Sequence, residues 1–151
     1  ETYMIRQLQP WHENLHKRQV KAPKVYFRDT GLLHNLLELP DLHALTGHPR
    51  VGASWEGFAL EQVIRILQPS QAYYWATYDR AKLDLFLILD GKNYGIEFKF
   101  NEAPAVTKSM YIAIKDLSLK KLLIVYPGKE IYPAGDKISA CPIQNVPDML
   151  L

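Results

Sequence analysis

The run Ala81-Lys-Leu-Asp84-Leu-Phe-Leu-Ile-Leu89-Asp90-Gly91-Lys-Asn-Tyr-Gly95-Ile-Glu97-Phe-Lys99-Phe100 decides how this chain folds. Two apolar stretches flank an Asp-Gly pair, the strongest short-range hairpin signal, because these two residues tolerate the positive φ angles of a tight turn. A two-residue loop at Asp90-Gly91 puts Leu89 opposite Lys92 and Asp84 opposite Glu97. A four-residue loop puts Asp84 opposite Lys99 instead. Both loops are even and strand side chains alternate, so either pairing projects Asp84, Glu97 and Lys99 from one face. Like charges placed opposite each other destabilise a sheet. Something must offset them: Lys99, a bound cation, or both.

The neighbouring patterns supply the rest of the fold. Tyr73-Tyr-Trp-Ala-Thr-Tyr78 reads as an aromatic strand, and Val106, Met110, Ala113, Ile114 and Leu117 as one face of a helix. Leu122 to Tyr126 reads as a buried strand, Ile131-Tyr132 as an edge strand before Pro133, and Ile138 to Ile143 as a last, weak strand. Upstream, Trp55, Phe58, Ala59, Val63, Ile66 and Leu67 have helical spacing, and Pro69 closes that helix. Asp29 or Thr30 caps a short helix carrying Leu32, Leu33, Leu36 and Leu37. This order predicts an α/β fold, a mixed central sheet flanked by helices.

The composition, 48% hydrophobic and 23% charged over 151 residues, is that of an ordinary globular domain. No apolar run approaches the ~18 residues of a membrane span. The lone Cys141 excludes an internal disulfide and fits a reducing, cytoplasmic setting. Because the chain opens at Glu1 directly into a structured pattern, it reads as a piece of something longer. The first 28 residues alternate in two bursts, Tyr3 to Leu8 and Lys24 to Phe27, around a polar middle. They hold Arg6, Lys17, Arg18, Lys21, Lys24 and Arg28 against only Glu1 and Glu13. Residues 1–28 are therefore expected to form a basic ribbon or linker, with Lys17, Arg18 and Lys21 at a tip suited to DNA or RNA phosphates. Residues 29–151 make the main domain.

The long helix holds two glutamates with different prospects. At 100° per residue, Glu56 falls inside the apolar arc. Glu61 falls outside it, with Arg65 four residues on as an ion-pair partner, and is expected at the surface. Glu56, Asp84 and Glu97-Phe-Lys99 together give hard oxygen ligands suited to Mg²⁺, with Asp84 and Glu97 as the metal ligands, beside a lysine able to activate water. Phosphodiester hydrolysis is the chemistry of such a set. No P-loop motif is present, and the spacing of His34, His43 and His48 matches no zinc site.

These residues resemble a family. Asp84 and Glu97-Phe-Lys99 look like the PD-(D/E)xK motif of restriction-endonuclease-like nucleases, with Leu83 where the proline stands and Glu56 similar to a helix glutamate. Lys24-Val-Tyr-Phe-Arg-Asp29-Thr-Gly31, Gly52-Ala-Ser-Trp-Glu56-Gly-Phe, Tyr74-Trp75, Leu83-Asp84 and Ile96-Glu97-Phe-Lys99 resemble, in order, the landmarks of an uncharacterised domain. That domain lies C-terminal to the ATPase module of prokaryotic AAA+ proteins. The resemblance implies a restriction-endonuclease-like fold, an upstream ATPase module in the same chain, and a winged-helix segment ending in residues 1–28. It further implies that Glu56, Asp84, Glu97 and Lys99 are catalytic. Lys82 departs from the pattern, and a second lysine beside the carboxylates is able to neutralise them without metal, which counts against catalysis. Three readings follow: a Mg²⁺-dependent nuclease, a non-catalytic nucleic-acid- or protein-binding module, and a structural salt-bridge cluster.

Overall fold

In the computed structural model, which describes residues 3–12 and 22–151, Asp90 and Gly91 adopt φ angles of 48° and 72°. Positive φ at both central residues marks a type I′ turn. The two-residue loop fixes the register: β4 (Lys82–Leu89) and β5 (Lys92–Phe98) run antiparallel, with Leu89 opposite Lys92 and Leu85 opposite Ile96.

This hairpin lies inside a six-stranded mixed sheet. β3 (Gln71–Ala76) flanks β4 antiparallel at one edge. From β5, the helix α4 (Lys108–Asp116) carries the chain across one face, so that β6 (Lys121–Val125) returns parallel to β5. β8 (Ile138–Cys141) lies parallel to β6, and β7 (Tyr132–Gly135) pairs with β8 at the far edge. Pro133 is tolerated there because an edge strand has free backbone groups. The last strand, expected to be weak, is instead an interior one with Ala140 and Cys141 fully buried.

Helices cover both faces, which is why Leu85 to Leu89 of β4 read as an unbroken apolar run. Leu85, Leu87, Leu89, Tyr94, Ile96 and Phe98 pack with Ala59, Leu60 and Val63 of α3 (Val51–Leu67). Phe86, Leu122 and Ile124 pack with Met110, Ala113 and Leu117 on the α4 side. The C-terminal helix α5 (Val146–Leu150), which no sequence pattern announced, joins the α3 side through Val146 and Leu150. Two short helices precede α3. α1 (Thr30–Leu36) is capped by Asp29, whose Oδ1 accepts from Gly31 N at 2.8 Å, and α2 (Leu42–Thr46) by Asp41. α3 stops at Gln68, in the left-handed region at φ 44° just before Pro69.

One irregularity matters for function. Tyr73 stands opposite Phe86 and Trp75 opposite Leu83, so Tyr74 alone faces two residues, Asp84 and Leu85. This bulge breaks the alternation of β4: Leu83 packs on the α4 side and Leu85 on the α3 side. Bulges re-aim side chains, and the residue here is Asp84.

β1 (Ile5–Leu8) and β2 (Lys24–Phe27) form the expected antiparallel ribbon, with Leu8 opposite Lys24. It is packed on the body. Trp11 N donates to Tyr74 O at 2.8 Å, and Tyr74 N to Gln9 O at 3.0 Å. The basic tip with Lys17, Arg18 and Lys21 lies outside the described residues. Among the described residues, no helix is long and apolar enough to cross a membrane.

The close packing of the hairpin gives a test. A Cβ at Gly95 would lie 2.7 Å from Leu119 Cδ1 and 3.0 Å from Leu83 Cδ2. Gly95→Ala is expected to destabilise the fold by about 1–3 kcal/mol through overpacking, read as a lower urea midpoint. An unchanged midpoint would mean that the two leucines repack freely.

Candidate functional site

The backbone ladder between β4 and β5 stops at Leu85–Ile96, and side chains take over beyond it. Phe98 N donates to Asp84 Oδ2 at 3.0 Å, and Asp84 N donates to Glu97 Oε2 at 3.3 Å. The carboxylates thus stand in for the strand carbonyls that these buried N–H groups would otherwise find. Meanwhile Lys99 N still bonds to Val125 O at 3.0 Å, so β5 continues beside β6 while β4 diverges. Asp84 and Glu97 are each only 3% exposed.

The other charged groups gather on this opening. Lys99 Nζ lies 2.9 Å from Glu97 Oε1. Glu56, in the second turn of α3, accepts from Tyr26 OH at 2.6 Å. Lys24 Nζ stands between two carboxylates, 3.4 Å from Glu56 Oε1 and 3.6 Å from Asp84 Oδ1. It also lies 5.3 Å from the centre of the Tyr74 ring. The Tyr74 hydroxyl in turn donates to the carbonyl of Ala22.

All four catalytic candidates, Glu56, Asp84, Glu97 and Lys99, are therefore in one place. Lys24 is at the site too, although the sequence placed it in the basic arm. Its signal was available: Lys24 and Tyr26 are two apart on a strand and share a face, while Val25 between them is exposed. Lys82, by contrast, is exposed, and among the described residues the ammonium groups at the carboxylates are those of Lys24 and Lys99 instead. Lys24 is there because the ribbon delivers it and the β4 bulge turns Asp84 to meet it.

Among the described residues, three carboxylates share two ammonium groups, and the shortfall shows in the protonation of Asp84. Burial, then the charges of Glu97 and Glu56, push Asp84 up to about 7 against the pull of Lys24 and the Phe98 N–H. Burial and Glu56 push Tyr26 far up, which keeps it a hydrogen-bond donor. Burial pulls Lys99 down, but Glu97, Asp84 and Glu56 outweigh it and hold it above its ordinary value.

Glu61 is a correction. Expected at the surface, it is 3% exposed, because β1 covers that flank of α3. Arg6 grips it through Nε at 2.5 Å and Nη2 at 3.1 Å, and Arg65 adds a bond at 3.2 Å. Burial alone would raise its pKa; Arg6 and Arg65 hold it below the ordinary value. Elsewhere, His34 Nε2 meets Ser54 Oγ at 2.6 Å and ties α1 to α3. Burial pushes the Cys141 thiol up to about 11.

Magnesium fits this arrangement poorly. The Asp84 and Glu97 carboxylates and one oxygen of Glu56 already meet Phe98 N, Asp84 N, Lys24, Lys99 or Tyr26. Among the described residues, no group of three or more His, Cys, Asp or Glu side chains is placed to hold a metal ion.

Residues 51–146 match the profile of a domain of unknown function, DUF4143. The chain belongs to the DUF4143 family. Residues 1–43 match a second domain of unknown function, DUF8612. Two mycobacterial relatives are similar to this chain, the uncharacterized proteins Mb2031c of Mycobacterium bovis and Rv2008c of Mycobacterium tuberculosis. Each is 47% identical over 146 residues, 97% of this chain but 33% of the relative. The chain thus spans about a third of the length of the curated relatives it matches. No solved structure matches it significantly. The DUF4143 span runs from the start of α3 into α5 and so holds the whole six-stranded sheet with Glu56, Asp84, Glu97 and Lys99.

Two measurements probe these charges. Among the described residues, Arg6→Ala leaves buried Glu61 with only the largely exposed Arg65. It is expected to cost about 3 kcal/mol, the usual loss when a buried pair is broken, read by chemical denaturation. Asp84 titrates higher in the fold than in the unfolded chain, so the native state binds the extra proton between pH 4 and 7. Its contribution therefore falls as pH rises through that window. Asp84→Asn is expected to gain stability relative to the native chain from pH 4.5 to 7.5; a constant difference between the two would remove the assignment.

Proposed function

We propose that this chain is a nuclease-like but non-catalytic module of a longer, cytoplasmic, prokaryotic AAA+-type ATP-binding protein, and that it holds nucleic acid through its basic arm. One observation carries the non-catalytic half: Lys24 Nζ sits between Glu56 and Asp84, so the protein supplies its own cation where a nuclease would need a metal. Support for the rest is of three kinds. The motifs resemble the ATPase-linked domain in the right order, and the chain covers only 33% of each relative, which leaves room for an ATPase module and a winged-helix segment. The order of helix, three antiparallel strands, helix and parallel strand suits a restriction-endonuclease-like core. The excess of lysine and arginine over residues 1–28 suits phosphate contact.

A second reading keeps the site as a Mg²⁺-dependent phosphodiesterase using Glu56, Asp84, Glu97 and Lys99. It is favoured by the one carboxylate in excess of the ammonium groups among the described residues and by the raised Asp84.

Fluorescence anisotropy with DNA and RNA, together with a cleavage assay in Mg²⁺ or Mn²⁺, separates the readings. Binding is expected to weaken when Lys17, Arg18 and Lys21 are neutralised. The slope of log K against log salt is expected to fall by about 0.9 for each B-DNA phosphate that the arm no longer neutralises. No cleavage is expected, and Asp84→Ala should change stability alone. Cleavage abolished by Asp84→Ala would select the second reading. An unchanged salt slope would reassign the arm, and no binding at all would turn the module toward a protein partner.

A further inference from the structure

Lys24 is delivered to the site by covalent and hydrogen-bonded geometry. The Tyr74 hydroxyl fastens Ala22, two residues ahead of it. Leu8 of β1 stands opposite it, and Tyr26, two residues on, bonds to Glu56 from the same face of β2. The ammonium then meets three acceptors: Glu56 Oε1 at 3.4 Å, Asp84 Oδ1 at 3.6 Å and the face of the Tyr74 ring at 5.3 Å. An ammonium has three donors and no acceptor, which matches that count.

The kind of acceptor discriminates between cations. Magnesium takes six oxygens in near-ideal octahedral geometry and gives up its water reluctantly. An aromatic face supplies no oxygen ligand to a metal ion that keeps its water, but attracts a weakly hydrated organic cation electrostatically. The remaining oxygen of Asp84 is occupied by Phe98 N, and Glu56 is shared with Tyr26.

We infer that Glu56, Asp84 and the face of Tyr74 form a socket selective for a primary alkylammonium, filled by the ribbon's own Lys24, and that this socket fastens β2 to the body. The inference rests on the non-catalytic reading of the same site, but not on nucleic-acid binding. With Lys24 removed, the body keeps a buried Asp84 that lacks its partner, in a space shaped for a short alkylamine.

Chemical rescue tests this. Lys24→Ala should lower Tm by about 4 °C or more, the shift expected for one to two kcal/mol in a domain of this size. Ethylammonium chloride should restore at least half of that loss. Sodium chloride, tetramethylammonium chloride and magnesium chloride at matched ionic strength should not. Restoration by magnesium equal to that by ethylammonium overturns the proposal, as does an ethylammonium effect no larger than that of sodium. Titration of the unaltered chain with Mg²⁺ by calorimetry decides the matter even if Lys24→Ala does not fold. No saturable heat is expected; stoichiometric binding that Asp84→Ala abolishes overturns the socket. A chain that binds no nucleic acid but shows alkylammonium-selective rescue fails the proposed function and keeps the socket.

Discussion

Everything at the site follows from the exchange of hydrogen bonds at the open end of the β4–β5 hairpin, Phe98 N to Asp84 and Asp84 N to Glu97. Two strands that part inside a protein leave backbone donors stranded, at about 1–3 kcal/mol for each one unsatisfied. Carboxylates can follow those donors as the strands diverge, which a fixed strand carbonyl cannot. Using them buries negative charge, and buried charge has to be balanced. Lys99 arrives from the same strand. Lys24 has to come from elsewhere, so a local problem of sheet geometry draws in a distant part of the chain.

The same need for balance links the two glutamates of α3, which looked so different in sequence. Both end up bound to the ribbon. Glu61 takes Arg6 from β1, and Glu56 takes Tyr26 and Lys24 from β2. One helix therefore clamps both strands of the ribbon through side chains of opposite charge. Apolar packing joins these polar contacts, with Leu8 in the main core and Tyr26 packed against it. Polar clamps of this kind specify position more sharply than apolar packing, since a charge displaced by a few ångströms loses its partner.

The sequence was legible wherever local physics decided. Asp90-Gly91 set the turn and register, the apolar spacing marked α3 and α4, and Asp29 announced α1. It was illegible where a partner far along the chain decided. Leu83-Asp84-Leu85 contains no glycine or proline to signal a bulge; only its pairing with Tyr74 reveals one. Ile138 to Cys141 looked weak because its burial comes from lying between β6 and β7. Glu61 looked exposed because its helical-wheel position ignores a ribbon that packs on that flank. Lys24 looked like part of a basic arm because its acidic partners lie 32 residues away and farther. In the candidate site, the residues were readable and their charge balance was not.

The two matched segments, 1–43 and 51–146, meet near the start of α3, yet the charge cluster does not respect that seam. Lys24 and Tyr26 come from the first segment; Glu56, Asp84, Glu97 and Lys99 come from the second. Cut at the seam, the second piece would hold three converging carboxylates and a single ammonium, and the first a lysine and a tyrosine without acceptors. The unit that inheritance marks out by sequence is thus smaller than the unit that electrostatics will hold together. Parting the two segments would break every contact that Lys24 and Tyr26 make with Glu56 and Asp84.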